Sequence, residues 1–136
     1  FFIPKIMMPT DQSRAQLPVA IGRDEAIFNI SRAALLINLL NTGNLSEISL
    51  ATQDQLHQAV RTKNLPAINS IFKSALNAGA LGVFLSGAGS TVLALANNRE
   101  VTIGYEIADA AAKSGFKGDV KVTIPTNMGA HVVDGK

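Results

Sequence analysis

The sequence predicts an α+β fold in which an antiparallel sheet carries helices on one face. Two short apolar runs, Leu81 to Leu85 and Val92 to Ala96, are separated only by Ser86-Gly87-Ala88-Gly89-Ser90-Thr91, so they read as buried strands joined by a small-residue turn. Residues 24–79 hold apolar side chains at helical spacing, and residues 98–124 pass from a helical pattern to strict alternation. The order is therefore strand, helix, helix, helix, strand, strand, helix, strand. Packed in two layers, it is close to a ferredoxin-like arrangement.

The elements follow in order. Phe1-Phe2-Ile3-Pro4-Lys5-Ile6-Met7-Met8 is an apolar, strand-like opening. Asp24 is placed to cap a helix running to about Asn41, and Asn41-Thr42-Gly43 stops it. Ile27, Ile30, Leu35, Leu36, Leu39 and Leu40 make that helix apolar on most sides, which predicts burial. Asn44 and Glu47 form a capping-box-like start to a second helix with Ile48, Ala51, Leu56 and Val60 on its apolar side. Pro66 suits the first turn of a third helix, where Ile68, Ile71, Phe72, Ala75 and Leu76 form an amphipathic stripe ended by Gly79. After the strand pair, Asn98 opens a helix with Val101, Ile103, Ile107, Ala108 and Ala111, reaching about Ser114. Val120, Val122 and Ile124 then alternate with Lys121 and Thr123 as a half-exposed strand.

A chain of 136 residues is one domain's worth. The absence of cysteine, of a signal-peptide pattern and of a membrane-length apolar run predicts a soluble, cytoplasmic setting. The start inside a strand-like run, without methionine, predicts a piece of a longer protein. The net charge of +2 comes from twelve scattered Lys and Arg, with one tyrosine and no tryptophan for base stacking, which argues against a nucleic-acid surface. The loop from Ser86 to Thr91 lacks the Lys-Ser/Thr of a P-loop and the third glycine of a dinucleotide fingerprint. It offers two side-chain-free positions, Gly87 and Gly89, able to take positive φ; an ordinary hairpin turn and a ligand loop both fit.

The charged groups that carry chemistry are few. Asp54, His57 and Arg61 recur at i, i+3 and i+7, which on one helix stacks a carboxylate, an imidazole and a guanidinium along one face. A solvated face with an intrahelical ion pair satisfies that spacing as well as a site does. Arg14 by itself reads as a surface arginine. Arg32, inside the most apolar helix, predicts a salt bridge or helix-cap contact, with a ligand role as the alternative, and His131 an exposed or interface position.

Read together, four segments carry a resemblance: Thr10-Asp11-Gln12-Ser13-Arg14-Ala15-Gln16-Leu17-Pro18, Ala26 to Leu36 around Phe28-Asn29-Ile30-Ser31-Arg32, Asp54-Gln55-Leu56-His57-Gln58-Ala59-Val60-Arg61, and Ala78-Gly79-Ala80-Leu81-Gly82 running into Leu85-Ser86-Gly87-Ala88-Gly89-Ser90-Thr91. Their succession resembles the C-terminal half of the homoserine kinases, within the GHMP small-molecule kinase superfamily, from the opening strand to Val133. Ser90 stands where that family usually has proline, and Ala59 and Asn64-Leu65-Pro66-Ala67 also depart from its common pattern.

The resemblance implies that the whole chain, residues 1–136, is a GHMP kinase C-terminal, substrate-side domain. An N-terminal domain that binds most of the ATP and Mg2+ would lie outside it. It implies phosphoryl transfer from ATP to the hydroxyl of L-homoserine, giving O-phospho-L-homoserine on the threonine route. Arg14 and Arg61 would grip the amino-acid carboxylate, with His57 beside them. Ser86, Gly87, Ala88, Gly89, Ser90 and Thr91 would form a loop under phosphate and substrate. No catalytic residue and no metal ligand is assigned in this half, no membrane partner is implied, and a homodimer is allowed. Two alternatives stand beside it: a GHMP kinase for another small alcohol, and a non-catalytic ferredoxin-like domain that binds an amino acid.

Overall fold

The structure is a computed structural model that describes residues 1–6 and 9–132. Met7 and Met8, in the strand-like opening, and Val133, at the end of the resemblance, lie outside the described residues. Four strands, β1 (Phe2–Pro4), β2 (Gly82–Leu85), β3 (Val92–Leu95) and β4 (Gly118–Val120), form one sheet in the order β2-β3-β1-β4. Every pairing is antiparallel, with Phe2 opposite both Val92 and Val120, and Leu85 opposite Val92. The expected ferredoxin-like arrangement is the one adopted.

The helices α5 (Pro66–Asn77) and α6 (Glu100–Lys113) cover one face of this sheet. The apolar stripe of α5 seats Ile68, Ile71 and Ala75, and α6 supplies Ile103, Ile107 and Ala111. Phe2, Val83, Leu85 and Val92 meet them from the sheet in one core cluster. Full burial of residues such as Ile71 stabilises by about 1.5–3 kcal/mol each, so this stripe is the main anchor of the fold. Pro66 occupies the first turn of α5, and Gly79 follows it at φ +106°, as the sequence signals require.

A smaller layer lies on the opposite face. There α2 (Arg23–Thr42) packs on α3 (Ile48–Ala51) through Leu35, Leu36, Leu39, Ile48 and Ala51, and Leu95 of β3 joins them. Gly82 permits the approach: a Cβ there would stand 2.8 Å from Thr52 Oγ1 and 2.9 Å from Ile48 Cγ2.

Several expected elements shift. The first helix in the chain, α1 (Thr10–Ala15), is an addition, a short turn of helix after Pro9. Burial of α2 is a correction: only Leu39 is buried, while Ile27, Ile30, Ile37 and Leu40 are 56–69% exposed. Apolar composition on most sides does not supply a second packing surface, and α2 finds partners along one side. Asp24 does not cap it; Gly22 holds the N-cap position and Asp24 sits in the first turn, where its charge favours the helix dipole. Gly43, at φ +72°, ends the helix as expected.

The expected second helix is broken in two, α3 and α4 (Gln58–Asn64). Asn44 turns its carboxamide oxygen to the backbone and hydroxyl of Ser46 instead of forming a capping box. The Thr52 hydroxyl bonds back to the Ile48 carbonyl at 2.9 Å, and Asp54 then accepts the amides that open α4. Helix α6 begins at Glu100, two residues after Asn98, with Arg99 left-handed before it. β4 occupies Gly118–Val120, not the alternating run to Ile124. Its ladder with β1 closes where Phe1 and Lys121 exchange bonds of 2.9 and 2.8 Å, and Val122 and Ile124 lie exposed beyond it.

Candidate functional site

β2 is one of the two outer strands of the sheet, and an outer strand presents unpaired backbone groups. Helix α4 answers this need. Gln58 accepts the Leu85 amide at 2.8 Å through Oε1 and donates from Nε2 to the Thr52 carbonyl. One turn later Arg61, 7% exposed, reaches past the strand and donates from Nη1 to the Gly87 carbonyl at 2.9 Å. The loop after β2 is held from a second side: the buried Ser13 hydroxyl of α1 donates to the Ala88 carbonyl at 3.2 Å. Ser90 donates to the Ile6 carbonyl, and both Gly87 and Gly89 take positive φ, +59° and +84°. The small-residue turn expected from the sequence thus has the backbone that only glycine adopts freely.

These ties enclose a cleft of about 700 Å³. Arg14 and Thr10 enter it from α1, Asn29 and Arg32 from α2, and Asp54, His57 and Arg61 from the segment that opens α4. Gly87 and Ala88 close it on the loop side, with Phe84 from β2. The structure therefore brings together Arg14, Arg61, His57, Gly87 and Ala88. Ser86, Gly89, Ser90 and Thr91 do not line the cleft; they shape the loop behind it, Ser86 by closing the turn onto the Thr91 carbonyl.

Asp54 organises one wall. Its Oδ1 accepts Asn29 Nδ2 and the Leu56 amide, and its Oδ2 accepts the amides of His57 and Gln58. Burial alone would raise its pKa, but the Asn29 side chain and the three backbone amides outweigh it and hold the carboxyl below the ordinary aspartate value. Asn29 also accepts the Gln55 amide at 2.9 Å, so a single carboxamide pins the whole turn to α2. This corrects the single stacked face. Asp54 precedes α4 instead of riding on it, and His57 is half exposed with Nδ1 3.7 Å from Asp54 Oδ1.

Arg32 is a second correction. Instead of a salt bridge or helix-cap contact, its guanidinium carbon lies 4.3 Å from the centroid of the Phe28 ring, stacked beside the cleft. Its Nε, like that of Arg61, is shut away from water without a hydrogen-bond partner. His131 is exposed, with Nδ1 3.1 Å from the Gly129 carbonyl. Asn29, Ser13 and Gln58 are the residues that sequence reasoning missed. Asn29 had a signal: Asn29, Arg32, Ala33 and Leu36 fall at i, i+3, i+4 and i+7, a stripe that sets two polar side chains on one face of the helix.

Three guanidiniums against one fully engaged carboxylate suit a small anionic ligand. Among the described residues no group of three or more His, Cys, Asp or Glu could hold a metal ion, and no helix is long and apolar enough to cross a membrane.

Residues 32–113 match the family described as GHMP kinases C terminal. The chain is 40% identical over 131 residues to the homoserine kinase of Moorella thermoacetica, covering 96% of this chain. The chain belongs to the GHMP kinase C-terminal family. It is also 41% identical over 113 residues to the homoserine kinase of Caldicellulosiruptor bescii, covering 83% of this chain. Among solved structures, the homoserine kinase of Cytophaga hutchinsonii superposes with a TM-score of 0.80 at 27% identity, over 85% of this chain and 38% of that one. The chain spans 44% of the length of the Moorella homoserine kinase and 35% of the Caldicellulosiruptor one.

Proposed function

We propose that this chain is the substrate-side domain of a homoserine kinase and that its cleft seats L-homoserine for phosphorylation by ATP. The observation that carries this reading is the convergence of Arg14 and Arg61 on one cleft, from helices far apart in the sequence. A planar guanidinium offers paired donors matched to a carboxylate, and two of them fix a small amino acid in one orientation. Arg61 is held for this by its bond to Gly87, and Asp54 holds the start of its helix. His57, half exposed beside Asp54, stands next to the ligand and takes no proton in this account.

Phosphoryl transfer relies on positioning and charge neutralisation. In this half the part played is positioning: the arginines anchor the carboxylate, and the hydroxyl is left to face a phosphate delivered from outside the chain. Among the described residues no group of three or more His, Cys, Asp or Glu could hold a metal ion, and Mg2+ in this reading comes mainly with the further domain. ATP binding, in this reading, belongs mainly to a further domain. Homoserine, ATP and a cytoplasmic setting enter as part of the same proposal.

The test is kinetic. This chain is joined in place of the matching part of the Moorella thermoacetica kinase, and Arg61→Leu and Arg14→Leu are compared with the parent. Each loses a charge-assisted contact of about 1.5–3 kcal/mol, roughly a 10- to 100-fold fall in kcat/KM for homoserine. The double variant falls by less than the product, since one carboxylate is shared. The KM for ATP stays put. Equal losses for both substrates, or none for homoserine, refute the assignment.

A further inference from the structure

The cleft holds one guanidinium more than an amino-acid carboxylate needs. Arg14, Arg32 and Arg61 all line it, and its one carboxylate, Asp54, is spoken for by Asn29 and three backbone amides. A ligand carboxylate has two oxygens that accept about four hydrogen bonds, as many as two guanidinium forks donate. With Arg14 and Arg61 so used, Arg32 is left over. It is not a solvated bystander: its guanidinium lies over the Phe28 ring, 4.3 Å from the centroid, and lines the cleft with the other two.

We propose that Arg32 receives a second anionic group of the ligand, a phosphate monoester, so that the cleft holds a phosphorylated amino acid more tightly than the free one. This rests on the reading of the cleft as an amino-acid site. A phosphate monoester carries close to two negative charges at neutral pH and three acceptor oxygens, which is what rewards a third guanidinium. In the proposed reaction it is the group that the substrate acquires. Arg32 therefore positions the phosphorylated end, while Arg14 and Arg61 position the carboxylate end.

The test follows the arginine Nε–H signals of the intact chain by NMR during titration with L-homoserine, O-phospho-L-homoserine and inorganic phosphate. The phosphorylated ligand is expected to bind at least about tenfold more tightly and to shift the Nε–H of both Arg32 and Arg61; L-homoserine shifts Arg61 and leaves Arg32 in place. Arg32→Met weakens the phosphorylated ligand by about 10- to 100-fold and L-homoserine by less than about twofold, with Arg32→Lys between. Equal weakening of both ligands by Arg32→Met, or weakening of neither, overturns the proposal. If Arg32→Met fails to fold, an Arg32 Nε–H in the parent that ignores the phosphorylated ligand does the same. Arg61→Leu separates the two ideas: L-homoserine binding that survives it refutes the amino-acid reading instead. Inorganic phosphate then decides for Arg32, upholding it as a phosphate seat by shifting its Nε–H and overturning it by leaving that signal unmoved.

Discussion

Replacing Asp54 by alanine tests how the cleft wall is built. The substitution removes four hydrogen bonds at once, from Asn29 Nδ2 and from the amides of Leu56, His57 and Gln58. The exposed His57 amide returns to water at little cost, whereas the part-buried groups of Asn29, Leu56 and Gln58 do not. Losing a helix cap costs roughly 0.5–2 kcal/mol, and stranding a buried donor adds about 1 kcal/mol or more, so about 2 kcal/mol is expected overall. For a chain of 136 residues, an unfolding entropy of about 2.1 cal/mol/K per residue converts this to a Tm roughly 7 °C lower. Circular dichroism at 222 nm during heating measures it.

The pH dependence gives a second handle on the same residue. The carboxyl's pKa is lower in the folded chain than in the unfolded one. Its stabilisation is therefore complete above the unfolded value, about 3.9, and is lost as pH falls through the lower folded value. The Tm gap between the parent and Asp54→Asn should be largest near neutral pH and shrink below about pH 4. A Tm for Asp54→Ala within about 2 °C of the parent, or a gap that does not shrink in acid, refutes the role given to this carboxylate.

Two further outcomes follow. Gly87→Val forces a β-branched residue to φ +59°, at a cost of about 1–2 kcal/mol, yet nothing lies within 4 Å of the added Cβ. The side chain should therefore depress ligand binding, read by calorimetry, well beyond its effect on the melting midpoint; loss of binding that merely tracks loss of folded protein contradicts this. The chain by itself should show no homoserine-dependent ATP turnover in an ADP-release assay and no ATP binding tighter than about millimolar, since in the proposed reading most phosphate contacts belong to a further domain. Micromolar ATP binding places the nucleotide site in the wrong half.

What the sequence made legible was local. The stripe of α5, the stop at Gly43 and the turn between β2 and β3 depend on residues within one or two turns of each other, and they appear as read except that Leu76, at the end of the stripe, is exposed. The break between α3 and α4 was passed over because Ile48 and Ala51, and then Leu56 and Val60, each keep helical spacing, although the step of five between Ala51 and Leu56 does not. Asp54 starts α4 by accepting the amides of Leu56, His57 and Gln58, and Asn29, 25 residues away, ties it to α2. The exposure of Ile27, Ile30, Ile37 and Leu40 was hidden, since burial needs a partner surface and composition does not reveal one. At the site, Arg14 and Arg61 became candidates only by resemblance, because their spacing is equally that of surface arginines. Their meeting depends on α1 and α4 both reaching the loop, through Ser13 to Ala88 and Arg61 to Gly87. Arg32 was misread because an arginine in an apolar helix suggests an acidic partner, and the structure supplies an aromatic ring and a cleft.

The central claim is that Arg14 and Arg61 read a carboxylate, and deleting that carboxylate from the substrate tests it most directly. In the kinase carrying this chain, kcat/KM is measured for homoserine and for 3-amino-1-propanol, the same molecule without its carboxylate, before and after Arg61→Leu and Arg14→Leu. Each variant should lose about 10- to 100-fold toward homoserine and change by less than about twofold toward 3-amino-1-propanol. Losses of equal size for both substrates would mean that the arginines serve the fold or the loop, and that no carboxylate is held between them.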